Sequence, residues 1–313
     1  ERKTSSLFDR ADADVIFRSC DGVDLRLHKL ILSMASPFFA DMFTLPAAAD
    51  AVQNPEKEEN VQVVEMAESA ETLENLFAFC YPMERSDRSL GFDTARSVLH
   101  AATKFDMPFV TRPVMESLEG YLPFEPLRVY AIAYLMEDAE LARDAASCLL
   151  GDPQFYDPPD PPPEFADIPA TALTSVAAYR RACAEAAQDM LLDHTWMYSA
   201  ASGHPVHVSR KGNADLSQAW VWLACTSCAK ADAPLAVPNM TNGYHAYVSP
   251  RKWWKDYTDA VAKELALRPL GSVLTQRSLL HSALEKAAEC TTCGPKAAWQ
   301  LTAYAEGMSE RID

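Results

Sequence analysis

Hydrophobic and polar positions alternate near the start of the chain and then change period. Val15 and Phe17, then Val23, Leu25 and Leu27, recur at every second position, the period of a half-buried strand. Asp21-Gly22 lies between the two runs and predicts a tight hairpin turn, because both residues tolerate positive φ. From Leu30 the spacing becomes helical: Leu30, Ile31, Met34, Ala35, Phe38 and Phe39. Ser36-Pro37 divides that run, Ser36 as an N-cap and Pro37 at the first position of a second helix. Val61, Val63 and Val64 predict the next strand. Helices are expected over Glu71–Cys80, with Leu73, Leu76, Phe77 and Cys80 on one face, over Phe92–Phe105, and over Pro113–Leu122.

Between and beyond these lie segments of other character. Residues 44–60 are small and charged, and read as a surface insertion. Leu127–Leu150, dense in Ala, Leu and Tyr, predicts a helical hairpin. Asp152–Pro163 carries six prolines in twelve residues, which excludes helix and central strand and predicts a polyproline II spacer or a docking segment for a proline-binding domain. Helices are expected from Ile168 to Met190, over Ala214–Ala224, Arg251–Leu267 and Ser278–Glu289, and over Ala297–Ala305, with 202–213 as loop. The C-terminal half is therefore expected to be all-α.

The ordered series Asp14-Val15-Ile16-Phe17, His28-Lys29, Leu32, Ser36-Pro37-Phe38-Phe39 and Met42-Phe43 resembles the signature of the BTB (POZ) domain. The resemblance implies an α+β domain over 1–122, a small sheet with helices. It implies a helical, BACK-like extension over 123–151, before a Pro-rich linker at 152–167 and a helical Cys/Trp domain at 168–313. It also implies protein–protein contact without catalysis. By the same resemblance Asp14 and Lys29 face a charged pocket beside a dimer interface. Leu7, Phe8, Leu30, Met34 and Phe38 are its dimer-side apolar residues. Many BTB proteins with a helical extension are substrate adaptors of Cullin-3 ubiquitin ligases, and the positions of that contact here are Met42, Phe43 and Tyr81. In this chain the long insertion falls at that place.

Charge narrows the field. Against 28 Lys and Arg stand 44 Asp and Glu, a net charge of −16, which argues against nucleic acid or an anionic membrane as the partner. No stretch approaches the roughly 20 apolar residues of a membrane span. There is no charged-then-apolar leader, and the chain opens on Glu1, so residues upstream of it are expected. No Gly-x-Ser-x-Gly, P-loop or Gly-x-Gly-x-x-Gly occurs, and ten glycines are few for a phosphate cradle. An enzyme is not expected.

Eight cysteines include two C-x-x-C pairs, Cys225/Cys228 and Cys290/Cys293. Two thiolates three residues apart reach one tetrahedral Zn²⁺ from a turn, and two such turns complete four ligands. The 61 residues between the pairs demand that the fold bring them together. The alternatives are buried thiols at helix ends or one disulfide per pair. Reduced cysteines suit a cytoplasmic or nuclear protein. His204 and His207 are the only close histidine pair. Trp220, Trp222, Trp253, Trp254 and Trp299 read as core packing rather than a stacking platform. The order Trp222…Cys225-x-x-Cys228, Pro250-Arg251-Lys252-Trp253-Trp254-x-x-Tyr257, Arg268-Pro269, Leu279…Ala283-Leu284-x-x-Ala287…Cys290-x-x-Cys293 is similar to the C-terminal half of BTB proteins of mushroom-forming fungi. The sequence thus predicts a non-enzymatic interaction protein that homodimerises or recruits a partner through its BTB domain. The alternatives are a Cullin-3 adaptor and a transcriptional or chromatin co-regulator.

Overall fold

The computed structural model describes residues 3–45, 61–82, 90–152, 160–198, 207–208, 214–215, 219–238 and 245–313. The insertion (46–60), the core of the proline-rich run (153–159) and His204 lie outside them. The chain divides into two compact units, Glu1–Ala145 and Ala146–Asp313.

The first unit is built on a four-stranded mixed sheet. Strands β1 (Lys3–Thr4), β2 (Val15–Arg18), β3 (Val23–Leu27) and β4 (Gln62–Glu65) lie in the order β1-β3-β2-β4. β2 and β3 pair antiparallel, with Val15 opposite Leu27 and Arg18 opposite Asp24, while β4 joins β2 in parallel. The expected alternation holds in β3, while β2, flanked on both sides by strands, buries Val15, Ile16 and Phe17 in a row. Val15, Phe17, Leu25 and Leu27 are fully buried, and Arg18 and Asp24 form a bidentate pair across the strands. Gly22 takes φ +78°, the left-handed conformation that the hairpin requires there.

Helices α1 (Lys29–Ala35), α2 (Pro37–Thr44), α3 (Ala70–Phe77), α4 (Phe92–Lys104), α5 (Pro108–Leu118), α6 (Pro126–Leu135) and α7 (Ala139–Cys148) follow. α5 begins five residues before the predicted start. Pro108 occupies its first turn and Pro113 is tolerated inside it, because Val110, Val114 and Leu118 share the buried stripe. Phe39 centres an aromatic cluster with Phe17, Phe77 and Phe105, ring centroids 5.1–5.9 Å from it. Ser36 holds the α1–α2 corner. Its buried hydroxyl accepts from Phe39 N–H at 3.2 Å and donates to the Phe105 carbonyl at 2.5 Å. Ser36→Ala removes a cap and leaves that carbonyl without its donor. A loss of about 1–3 kcal/mol is expected in urea unfolding of the full chain, and an unchanged midpoint would show the corner is held by packing alone.

The second unit is helical. Its helices are α8 (Ala170–Leu192), α9 (Val221–Ala224), α10 (Lys252–Leu267), α11 (Arg277–Ala288) and α12 (Gly294–Ile312). Two antiparallel two-stranded ribbons accompany them, β5 (His207–Val208) with β6 (Ala214–Asp215) and β7 (Leu235–Pro238) with β8 (His245–Val248). The helix predicted over 214–224 is thereby cut back to one turn, since Ala214 and Asp215 pair with the strand before them. The core is aromatic. Trp222, fully buried, stacks on Trp220 at 4.8 Å and on Trp254 at 5.5 Å, with Tyr304 edge-on at 5.7 Å. Trp299 departs from the sequence reading. It is 54 % exposed, on the outer side of α12, while Trp196 joins the core by stacking on Tyr304 at 5.6 Å. Trp222→Ala opens a cavity in the middle of this stack, and about 3–5 kcal/mol of stability is expected to go, read by denaturant unfolding. A loss under about 1 kcal/mol would show that the stack collapses to fill the space.

Candidate metal centre and exposed helical face

The fold brings the two C-x-x-C pairs together. Cys225 ends the single turn of α9, its N–H bonded to the Val221 carbonyl. Cys290 and Cys293 span the corner where α11 stops and α12 starts, and Gly294 N–H closes that turn on the Cys290 carbonyl at 2.8 Å. The sulfurs stand 3.6 Å (Cys225–Cys228), 3.7 Å (Cys225–Cys290) and 3.5 Å (Cys228–Cys293) apart, and all four lie within 4.8 Å of one another. None is in a disulfide. A regular tetrahedron of sulfurs at a Zn–S length of about 2.3 Å has edges of about 3.8 Å. The cluster is thus already near the size that a tetrathiolate metal needs. Four protein sulfurs would leave no open position, the pattern of a structural rather than a catalytic metal.

The sulfurs differ in surroundings. Burial works against a thiolate at Cys225. The N–H groups of Cys228 and Ser227, with the neighbouring thiols of Cys293 and Cys228, outweigh it and bring its pKa down to about 6. Ser227 N–H lies 3.4 Å from that sulfur. Burial pushes Cys228 up to about 11. It also pushes Cys293 up, against the pull of the Trp253 indole N–H. Ser227 and Thr292, one from each turn, bring their hydroxyls to 3.5 Å at the exposed rim.

One neighbour was not legible in the sequence. Arg251, just before α10, is 3 % exposed and donates from Nη1 to the Cys228 carbonyl at 2.8 Å. A single arginine between Pro250 and Lys252 looks like any surface cation, and only the fold shows that it is inside.

On the first unit the predicted interface residues separate. Leu30 and Met34, one helical turn apart on α1, are 71 % and 81 % exposed, with Phe38 at 43 % and Leu7 at 53 %. Phe8 is not with them. It is buried, packed edge-on against Tyr81 at 5.3 Å, and belongs to the domain core. The Asp14 carboxylate accepts from the Lys29 backbone N–H at 2.7 Å and so caps α1, while the Lys29 ammonium lies 5.6 Å from the Phe43 ring centre. Met42 and Phe43 are half-buried, and Phe43 stacks against Phe39. The Tyr81 hydroxyl accepts from His28 N–H at 2.9 Å, and burial pushes its pKa up to about 12.

Among the described residues, no helix is long and apolar enough to cross a membrane. No curated protein matches the chain. Residues 5–121, which hold strands β2 to β4, the Ser36 corner and the exposed face of α1, match the profile of the BTB/POZ domain, and this stretch of the N-terminal unit is a BTB/POZ domain, a protein-interaction module.

Proposed function

We propose that this is a non-enzymatic interaction protein whose BTB/POZ domain self-associates through the outward face of α1, and whose helical second unit is stapled by one zinc ion on Cys225, Cys228, Cys290 and Cys293. The observation that carries the first part is Leu30 and Met34, large apolar side chains left in water on adjacent turns of one short helix, with Phe38 following on the next. Side chains of this size normally bury, and a contiguous apolar patch on a soluble domain marks a contact surface. A second copy offers the same patch, so an isologous two-fold contact satisfies both at once.

The zinc reading is supported by the sulfur spacing and by the absence of disulfides in the tetrad. Reduced thiols of this kind suit a cytoplasmic or nuclear setting. The Cullin-3 adaptor reading leans on Met42, Phe43 and Tyr81. Phe43 stacks on Phe39 and the Tyr81 hydroxyl is spent on His28, which favours self-association over that contact. A co-regulator acting on nucleic acid is disfavoured by the net charge of −16.

The test is co-expression of two differently tagged copies of the full chain. Capture of one tag is expected to retain the other, at salt concentrations that would dissolve a purely ionic contact. Recovery of the captured copy alone would contradict self-association.

A further inference from the structure

We infer that Arg251 is the built-in counter-charge of a metal tetrathiolate at the four cysteines. This deepens the zinc reading above and rests on it.

Arg251 presents an unbalanced account of charge. Its side chain is buried, and an arginine does not shed its proton in a protein. Nη1 donates to the Cys228 carbonyl, but Nε finds no partner. Among the described residues no carboxylate pairs with it. A buried cation without an anion is costly enough that proteins rarely keep one. Its one side-chain partner among the described residues is the carbonyl of a cysteine of the tetrad, Cys228, and its own backbone N–H is bonded to the Trp222 carbonyl.

Free thiols hold less negative charge beside the guanidinium than a metal tetrathiolate does. Four thiolates around a divalent cation carry a net charge of −2, and that charge is equally costly to bury alone. Each group supplies what the other lacks. The backbone fixes them together. Arg251 N–H donates to the Trp222 carbonyl, Ala231 N–H to Pro250, and Lys252 N–H to Ala229, at 2.8–2.9 Å. The segment after Cys228 and the start of α10 are therefore one piece. Arg251 touches no metal; it is a positioning residue that acts through the charge it holds beside a ligand's carbonyl.

The experiment uses the full chain, metal-free and loaded with Zn²⁺, and reads zinc affinity by competition with a chromophoric chelator. Wild type is expected to bind one zinc per chain. Arg251→Met, which keeps volume but not charge, is expected to bind about 10–100-fold more weakly. Arg251→Lys keeps the charge and is expected to stay within about threefold of wild type. Zinc is expected to raise the thermal midpoint of wild type by more than it raises that of Arg251→Met, because only wild type holds a cation beside the site.

Equal zinc affinity in wild type and Arg251→Met would overturn the inference while leaving the zinc site standing. So would a Lys variant as weak as the Met variant, or a zinc-induced rise in thermal midpoint that is equal in wild type and Arg251→Met. If Arg251→Met does not fold, the Lys variant decides alone, since a tenfold or greater loss there contradicts a role for charge. A wild-type chain that binds no metal removes the zinc reading and this inference with it.

Discussion

Replacing Cys290 by serine is expected to release the metal and loosen the second unit. Cys290 is 8 % exposed, and its sulfur is 3.7 Å from that of Cys225. A serine hydroxyl is a poor ligand for a thiophilic ion and too short to keep the same reach. Structural zinc contributes on the order of 10 kcal/mol of apparent binding free energy, all of it available to folding when the unfolded chain binds weakly. Losing one of four ligands should cost several kcal/mol of that. Zinc content by elemental analysis should fall from about one per chain to near zero. Amide exchange should speed up in α9, the start of α10, and the corner between α11 and α12, with the BTB/POZ sheet unaffected. A serine variant with full zinc content, or a wild-type chain that is folded and metal-free, would remove the site.

Met34→Asp is expected to produce the second large effect, on association and not on stability. Met34 is 81 % exposed, so the substitution leaves the core of its own domain untouched and should change unfolding by no more than about 0.5 kcal/mol. In a two-fold contact the aspartate enters twice, places two like charges near the axis, and must be desolvated in an apolar patch. Burying an unpaired carboxylate costs several kcal/mol, and each 1.4 kcal/mol is a factor of ten in dissociation constant. Sedimentation velocity should show a monomer at concentrations where the wild type is paired. An unchanged association state would move the interface off α1.

The difference between these two sites explains what could be read from the sequence. The first unit was legible because its elements are specified locally. Alternation over 15–27, Asp21-Gly22 and the Ser36-Pro37 cap each act within a few residues, and Ser36 does accept the Phe39 amide as that pattern requires. The exposed face of α1 was legible only as apolar. Helical spacing put Leu30 and Met34 in a stripe, but nothing local told them from Leu32, which the fold buries completely. Phe8 was misplaced on the interface for the same reason, since its partner Tyr81 lies 73 residues away in the chain.

The second unit was less legible. The spacing of the cysteines named the candidate ligands, yet their meeting depends on α10 and α11 folding back across the 61 residues between the pairs. The ribbon strands β5 and β6 are two residues each, too short to leave a period. Arg251 stood in the sequence only as part of the Pro250-Arg251-Lys252-Trp253-Trp254 run, with no sign of its burial, because that is decided by Trp222 and Cys228 from a different part of the chain.

The central claim is that the BTB/POZ domain makes this chain self-associate. Size-exclusion chromatography with light scattering on the full wild-type chain tests it most directly. The account predicts a mass twice that of the 34.6 kDa chain at micromolar concentration. A single species at 34.6 kDa, unchanged on concentration, would contradict it.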